Sequence, residues 1–517
     1  MLTVAMTPVK LRTMSTDYVE KIKKAHVYEV ARETPLEFAP GLSRRTKNRV
    51  MLKREDLQPV FSFKLRGAYN KISSLSDEAR RKGVIAASAG NHAQGVALAA
   101  QRLDIKALIV MPQTTPRIKV EAVRNMGAET ELCGNTYDAA YEYACKRGQE
   151  LDMTFVHPYD DPDVIAGQGT VAMEILDQCK DDLYAIFVPV GGGGLIAGIA
   201  AYVKHHDPAI RIIGVEPEDA ACMHAALRAN KRVILDQVGI FADGVAVRQV
   251  GEEPFRIAQQ YVDEVVTVSV DEICAAIMDI YDDTRSIAEP AGALSIAGLK
   301  KYVQREKISD KTMVAIDSGA NINFDRLRHV AERAELGEQR EALFAVAIPE
   351  RPGSFREFCE TIGKRGITEF NYRYADAKQA HVFVGIELRE GLAEMNAVKQ
   401  QLESRGYQVE DMTNNEMAKT HVRFMVGGHA PSIENEVLYR FEFPERPGAL
   451  LRFLDRMGQG WNISLFHYRN HGAAYGRVLV GMQVPQQDRS RLQTFLDEVK
   501  YVYQEETNNP AYRIFLK

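Results

Sequence analysis

VIAASAGNHAQGVALAAQRL, residues 84–103, decides the fold. Four apolar residues run without alternation, a small-residue loop follows, and alanines and valines at helical spacing complete the unit. An unbroken apolar run of this length reads as a strand buried on both faces, which means a parallel sheet covered by helices. The unit recurs along the chain. KALIVMP at 106–112 precedes RIKVEAVRNMG, YAIFVPV at 184–190 precedes GLIAGIAAYVKHH, and IRIIGVE at 210–216 precedes ACMHAALRANK. From about residue 20 to 325 the chain is therefore an open α/β region, with ligands expected beyond the carboxyl ends of the strands.

Beyond that region the pattern changes and repeats itself. Pro349-Glu350-Arg351-Pro352-Gly353 returns as Pro444-Glu445-Arg446-Pro447-Gly448, an offset of 447 − 352 = 95. Ile367-Thr368-Glu369-Phe370-Asn371-Tyr372-Arg373 returns as Ile463-Ser464-Leu465-Phe466-His467-Tyr468-Arg469, at 468 − 372 = 96. Each copy reads strand, helix, two strands, helix, strand, which is the βαββαβ ferredoxin-like order. The expected division is 1–328, a linker at 329–341, copies at 342–416 and 437–517, and a second linker at 417–436.

At roughly 150 residues per domain, 517 residues correspond to about three domains. With 45% hydrophobic and 26% charged residues, the composition excludes a disordered or fibrous chain. Net charge is 65 − 70 = −5, without a basic block, so no nucleic-acid partner is expected. The six cysteines are scattered, which argues against a disulfide framework or a structural metal and for a reducing cytoplasm. Neither a secretory signal nor an apolar run of membrane-spanning length stands out, so a protein outside the membrane is expected.

Three local signatures carry the chemistry of the first region. SFKLRGAYN at 62–70 places Lys64 at the start of an amphipathic segment. Such a lysine can snorkel to water, or its amine can be desolvated and form a Schiff base with an aldehyde cofactor. SAGNHAQG at 88–95 opens a helix after a strand. Its small residues can bring backbone N–H groups up to a carboxylate or phosphate, or Asn91 can merely cap the first turn. Gly191-Gly192-Gly193-Gly194-Leu195 follows the strand YAIFVPV and suits a phosphate-binding nest. Gly192, Gly194 and Ala197 also fit the looser dinucleotide fingerprint, with Glu216 near the place of a ribose-binding acid, so a nicotinamide-dependent dehydrogenase stays in competition. That alternative leaves Lys64 and the Ser-Ala-Gly-Asn loop idle; pyridoxal phosphate uses all three.

SFKLRGAYN, SAGNHAQG, GGGGL, AEPAGAL at 288–294 and SGAN at 318–321, in this order, resemble the fold-type II pyridoxal-phosphate enzymes, the tryptophan synthase β-like group. With the doubled C-terminal unit the chain resembles the biosynthetic threonine dehydratase family. The resemblance implies a catalytic region of two α/β subdomains followed by two ACT-like regulatory domains. It implies that Lys64 carries the Schiff base, with Phe63 against the pyridine ring and Asn91 on the ring hydroxyl. Ser88, Gly90, Asn91 and His92 would receive the substrate carboxylate, and Gly191, Gly192, Gly193, Gly194 and Leu195 the phosphate. Ser318 would face the pyridine nitrogen, and Glu289 would lie near the ring without an assigned role. A hydroxyl at Ser318 makes the ring a weaker electron sink than a carboxylate would, which favours prompt β-elimination. Ser318 can equally cap a helix over NINFDRLRHV.

The activity so implied is elimination of water and ammonia from L-threonine, giving 2-oxobutanoate, with L-serine as a slower substrate or, in a serine dehydratase, the main one. Inhibition by isoleucine opposed by valine, and a homotetramer, are implied with it. Tyr372 and Tyr468, with Arg373 and Arg469 after them, occupy equivalent repeat positions and are the effector candidates; aromatic residues on strands also serve plain packing. An amino-acid sensor retaining only the tail is the third class.

Overall fold

A computed structural model describes residues 17–375, 377–425, 427–444, 448–458, 460–469 and 475–516. The chain divides into two compact units, residues 1–334 and 335–517.

Among the described residues the first unit holds two sheets. The larger has six strands in the order Leu36–Phe38, Arg49–Arg54, Thr312–Asp317, Leu183–Pro189, Arg211–Pro217 and Glu264–Val268. Only the first, an edge strand, runs antiparallel to its neighbour. The smaller sheet is parallel throughout, in the order Glu129–Leu132, Ala107–Met111, Val84–Ala87 and Thr154–Phe155. Every residue of Val84–Ala87, Ala107–Met111 and Thr312–Asp317 is buried. Sheets covered on both faces require such continuous apolar runs, and the helices that cover them end in turns of matching chemistry. Ser269 and Glu272 form a reciprocal capping box on the helix Val270–Thr284, and Asp161 caps Pro162–Gln178. The helix expected over NINFDRLRHV begins only at Arg326, because residues 321–325 form an irregular loop at the end of the last strand.

Among the described residues the second unit has one antiparallel sheet of eight strands, in the order Gln408–Asp411, Glu341–Pro349, Gln379–Glu387, Ile367–Arg373, Asn462–Arg469, Tyr475–Gln483, Glu436–Pro444 and Val502–Glu505. Four strands come from each copy of the repeat, and the copies join where Ile367–Arg373 pairs with Asn462–Arg469. In that register Asn371 faces His467, its own equivalent at 467 − 371 = 96, while Phe370 faces Tyr468 and Tyr372 faces Phe466. The copies are thus related by a local two-fold through that central pair. The helices Ser354–Ile362 and Ala449–Met457 occupy equivalent places after Gly353 and Gly448, both at positive φ. Residues 445–447 of the second Pro-Glu-Arg-Pro-Gly turn lie outside the described residues. Among the described residues no helix is long and apolar enough to cross a membrane.

Candidate active site

The site is built where the two sheets of the first unit end. Lys64 is the first residue of the helix Lys64–Ser73, and Phe63 before it is stitched to the residue just past the strand Thr312–Asp317 by its amide on the Ser318 carbonyl at 3.3 Å. Lys64 is half-buried, its Nζ 5.3 Å from the centre of the Phe63 ring, and donates to the Pro158 carbonyl oxygen at 3.2 Å. No described carboxylate pairs with that amine, which is not how a snorkelling surface lysine behaves. Burial pushes the amine down to about 8, against a smaller upward pull from Glu289.

The loop after Val84–Ala87 presents Ser88, Ala89 and Gly90, and the helix Asn91–Arg102 starts behind it. Asn91 does not cap that helix. Its Nδ2 donates to Glu289 Oε1 at 2.6 Å, and its Oδ1 accepts from Asn321 Nδ2 at 2.7 Å. Glu289 is thereby drawn into the site, its carboxyl pushed up to about 7 by burial and by Asp243. Ser88 Oγ accepts the Gly90 amide at 3.2 Å. The amides of Ala89, Asn91 and His92 donate to no described residue, and a Cβ on Gly90 would meet open space. The ring of His92 is buried with Nε2 donating to the Val156 carbonyl at 2.9 Å, and burial and Lys64 push it down to about 3. Of His92, the amide alone is available to an anion.

The four glycines turn the chain from the strand Leu183–Pro189 into the helix Gly194–His206. Gly193 has φ +95°, the left-handed region that glycine enters freely. Gly192 is needed for a different reason: a Cβ there would stand 2.2 Å from the Tyr159 ring. None of the amides of Gly191 through Leu195 donates to a described residue, as expected where a helix start faces a ligand. Glu216, the candidate ribose-binding acid, is fully buried and accepts the amides of Met223 and His224, both at 2.8 Å. It cannot serve a ribose, which removes the dehydrogenase reading. Ser318 is buried with Oγ 3.4 Å from the Ala291 carbonyl, and it is eight residues short of the helix at Arg326 that it was expected to cap.

Several residues of the site have no local signature. Residues 157–160, just past the strand Thr154–Phe155, lie between Lys64 and the glycine loop: Pro158 takes the amine and Tyr159 packs on Gly192. Their position past the carboxyl end of a parallel strand was the available signal. Asn321 is tied to Asn91 and to the Val60 carbonyl. Behind Lys64, the wholly buried Arg66 donates to Glu55 and Glu174, to Thr170 Oγ1 at 3.1 Å and to the Arg32 carbonyl at 3.2 Å.

A lone partly desolvated amine flanked by two loops of unclaimed amides, one fit for a carboxylate and one for a phosphate, fits pyridoxal phosphate and an α-amino acid. Comparison with known proteins agrees. A family model described as "Pyridoxal-phosphate dependent enzyme" matches residues 27–319, and one described as "C-terminal regulatory domain of Threonine dehydratase" matches 332–422 and 427–516. The chain is 57% identical to the biosynthetic L-threonine dehydratase of Burkholderia multivorans over 97% of its own length and 99% of that protein. It is 53% identical to that of Escherichia coli, with 97% of each covered. Among solved structures, the processed threonine deaminase isoform 2 of Solanum lycopersicum matches 62% of this chain and 94% of its own, at TM-score 0.61 and 51% identity. The fold is that of the fold-type II enzymes, with pyridoxal phosphate as cofactor. The chain belongs to the threonine dehydratase family of pyridoxal-phosphate-dependent lyases.

Proposed function

We propose that the chain converts L-threonine to 2-oxobutanoate and ammonia, the committed step of isoleucine synthesis, with Lys64 as anchor of the cofactor and base of the reaction. The observation that carries this is the amine of Lys64, without a carboxylate partner among the described residues and shifted to about 8 by burial, so that a substantial neutral fraction exists near neutral pH. When bound, pyridoxal phosphate supplies the electron sink for the charge left at Cα. Gly191, Gly192, Gly193, Gly194 and Leu195 would hold its phosphate, Phe63 its ring face, Asn91 its hydroxyl and Ser318 its nitrogen. Asn91 is fixed for that part: with Glu289 accepting from Nδ2 and Asn321 donating to Oδ1, its amide has one orientation.

The loop Ser88, Gly90, Asn91 and His92 holds the substrate carboxylate, with the amides of Ala89, Asn91 and His92 as its donors, since those of Ser88 and Gly90 are taken by the Val110 carbonyl and Ser88 Oγ. That contact sets the Cα–H toward Lys64, which takes the proton through its neutral amine. The Cβ–O bond breaks and the hydroxyl, protonated, leaves as water; the released 2-aminocrotonate tautomerises to the imine, which water hydrolyses to 2-oxobutanoate and ammonia. Serine loses one methyl in the pocket, a difference of only ~1–3 kcal/mol, and is the slower substrate. The test is 2-oxoacid formation from threonine and from serine, each with and without isoleucine. Faster turnover of serine, or none of either, would reject the assignment.

The second unit is read as the isoleucine- and valine-binding regulator. A cavity of about 420 Å³ there is lined by Arg365, Glu341 and Glu387 on one side and by Leu450, Leu451, Phe466 and Tyr468 on the other. A cation, carboxylates and an apolar wall are what a branched α-amino acid needs. Tyr468 lines that cavity, whereas Tyr372 turns its hydroxyl to Glu350 and its ring edge to Phe355, 4.9 Å away. Arg373 is engaged by Glu436 and the Gly428 carbonyl, and the side chain of Arg469 lies outside the described residues. Tyr468→Ala is expected to raise the isoleucine concentration for half-inhibition about fivefold or more, equivalent to ~1 kcal/mol of coupling, with uninhibited turnover kept. An unmoved inhibition curve takes Tyr468 out of the site. The reading includes a catalytic region over 1–328, regulatory copies at 342–416 and 437–517, a homotetramer and a cytoplasmic location; sedimentation of the purified enzyme tests the tetramer.

A further inference from the structure

We propose that His157 is a positioning residue for the reaction: its ring nitrogen closes the turn that presents the Pro158 carbonyl to the amine of Lys64. The proposal rests on the reading of Lys64 as the base.

His157 Nδ1 accepts the amide of Asp160 at 2.8 Å and that of Tyr159 at 3.3 Å. Those two bonds fold residues 157–160 back on the imidazole and leave the Pro158 carbonyl directed at Lys64 Nζ, 3.2 Å away. The same turn is fastened on its other sides. The Tyr159 ring meets the His157 ring edge-on at 4.7 Å, packs on Gly192, and sends its hydroxyl to the Gln249 carbonyl at 3.4 Å. The Asp160 carboxylate accepts the amides of Glu252 and Glu253 at 2.8 and 3.0 Å, capping the helix Glu252–Tyr261. Asp161 caps the helix Pro162–Gln178 and pairs with Lys71 at 2.8 Å, two turns beyond Lys64 on its own helix. One short turn therefore registers the base, the glycine loop and three helices, with an imidazole as its internal acceptor.

The chemistry of such a device is geometric. A neutral amine has two N–H bonds and one lone pair; giving one N–H to a fixed carbonyl restricts where the lone pair points. The carbonyl has no proton to give or take. Nδ1, as an acceptor of two amides, carries no proton, so the ring proton is on Nε2, and burial holds the imidazole down at about 4. The ring is neutral while the enzyme works and transfers no proton itself. Misplacing a catalytic group by about 1 Å can cost on the order of 10²-fold.

Holoenzyme variants decide the matter. His157→Asn places an oxygen about where Nδ1 stands and is expected to keep kcat within about threefold, whereas His157→Leu lowers kcat roughly 10- to 100-fold, with KM for threonine little changed. Cofactor content per chain is expected to stay at the wild-type level in both. In the leucine variant alone, the pH titration of the visible absorption of the bound cofactor, which reports its link to the amine, is expected to shift. His157→Gln carries its oxygen one bond farther out and falls with leucine; should the leucine variant not fold, asparagine against glutamine makes the same comparison. Wild-type behaviour of all three overturns the proposal. So does an asparagine variant as slow as leucine, which would give the ring a proton to transfer, or loss of activity in step with loss of cofactor. Lys64→Ala assayed alongside separates the two readings: turnover without Lys64 removes the base itself, whereas wild-type-like His157 variants beside an inactive Lys64→Ala remove only this turn.

Discussion

Lys64→Ala is expected to lower threonine turnover by about 10³-fold or more, because one substitution takes away both the covalent anchor of the cofactor and the group that removes the α-proton. Borohydride reduction followed by digestion is expected to leave the cofactor on the peptide containing Lys64 in the wild type and on no peptide of the variant. Cofactor bound covalently at another lysine, or a variant within tenfold of wild type, would end the role of Lys64 as anchor and base. The sign of the pH dependence follows from the amine. Burial holds it at about 8, so the working neutral form is lost as pH falls below that value, and kcat is expected to show a limb declining toward acid.

The second large effect belongs to a residue that touches nothing reactive. Arg66 is wholly buried among Glu55, Glu174, Thr170 and a backbone carbonyl, and Lys53 adds a further contact to Glu174 at 2.6 Å. Arg66→Leu removes the main counter-charge of two buried carboxylates and is expected to cost about 3–5 kcal/mol of stability, read as a lowered urea midpoint. Arg66→Leu combined with Glu55→Leu is expected to recover part of that loss, since Glu174 keeps Lys53 as its counter-charge and no buried charge is then left unpaired. A single variant as stable as wild type would show the cluster to be idle. Burial pushes the Glu55 carboxyl up, but the Arg66 guanidinium, Thr34 and Lys53 outweigh it and hold it below the ordinary glutamate range. A depressed carboxyl of this kind contributes stability at neutral pH that is lost as pH falls through its folded value. The wild type should therefore lose stability in acid more steeply than the double variant, which lacks Glu55.

Lys64, the glycine loop and the Ser-Ala-Gly-Asn loop were legible because each is a short run whose composition is itself unusual. The strands were legible because burial on both faces leaves no polar residue to interrupt them, as in Val84–Ala87. The tandem copies announced themselves by identity over five residues. What escaped is held by contacts far apart in sequence. Asn91 reads as a cap until Glu289 and Asn321 arrive from 198 and 230 residues away. Arg66 reads as one more charge on an amphipathic helix until Glu174 meets it across 108 residues. Glu216 carried a real fingerprint spacing, and only the two amides it accepts disqualify it. The helix expected over NINFDRLRHV is shortened for the opposite reason: residues 326–330 have helical periodicity, but residues 321–325 before them form a loop that the site uses, through Asn321.

The seam at Asn371 and His467 has an evolutionary corollary. An ancestor bearing one copy with this edge could have met a second molecule of itself in the same isologous register, at the mercy of its concentration. Tandem duplication makes that encounter intramolecular and permanent. Once the partners share a chain, each half is free to differ, and the two do: Glu341 and Glu436 are alike, each accepting a hydroxyl from Thr368 or Ser464, yet Glu369 is answered at 465 − 369 = 96 by Leu465. Arg423 is bound in the first half by a carboxylate whose counterpart in the second half is a leucine. Duplicated receptors freed in this way can acquire different ligands without losing their common frame.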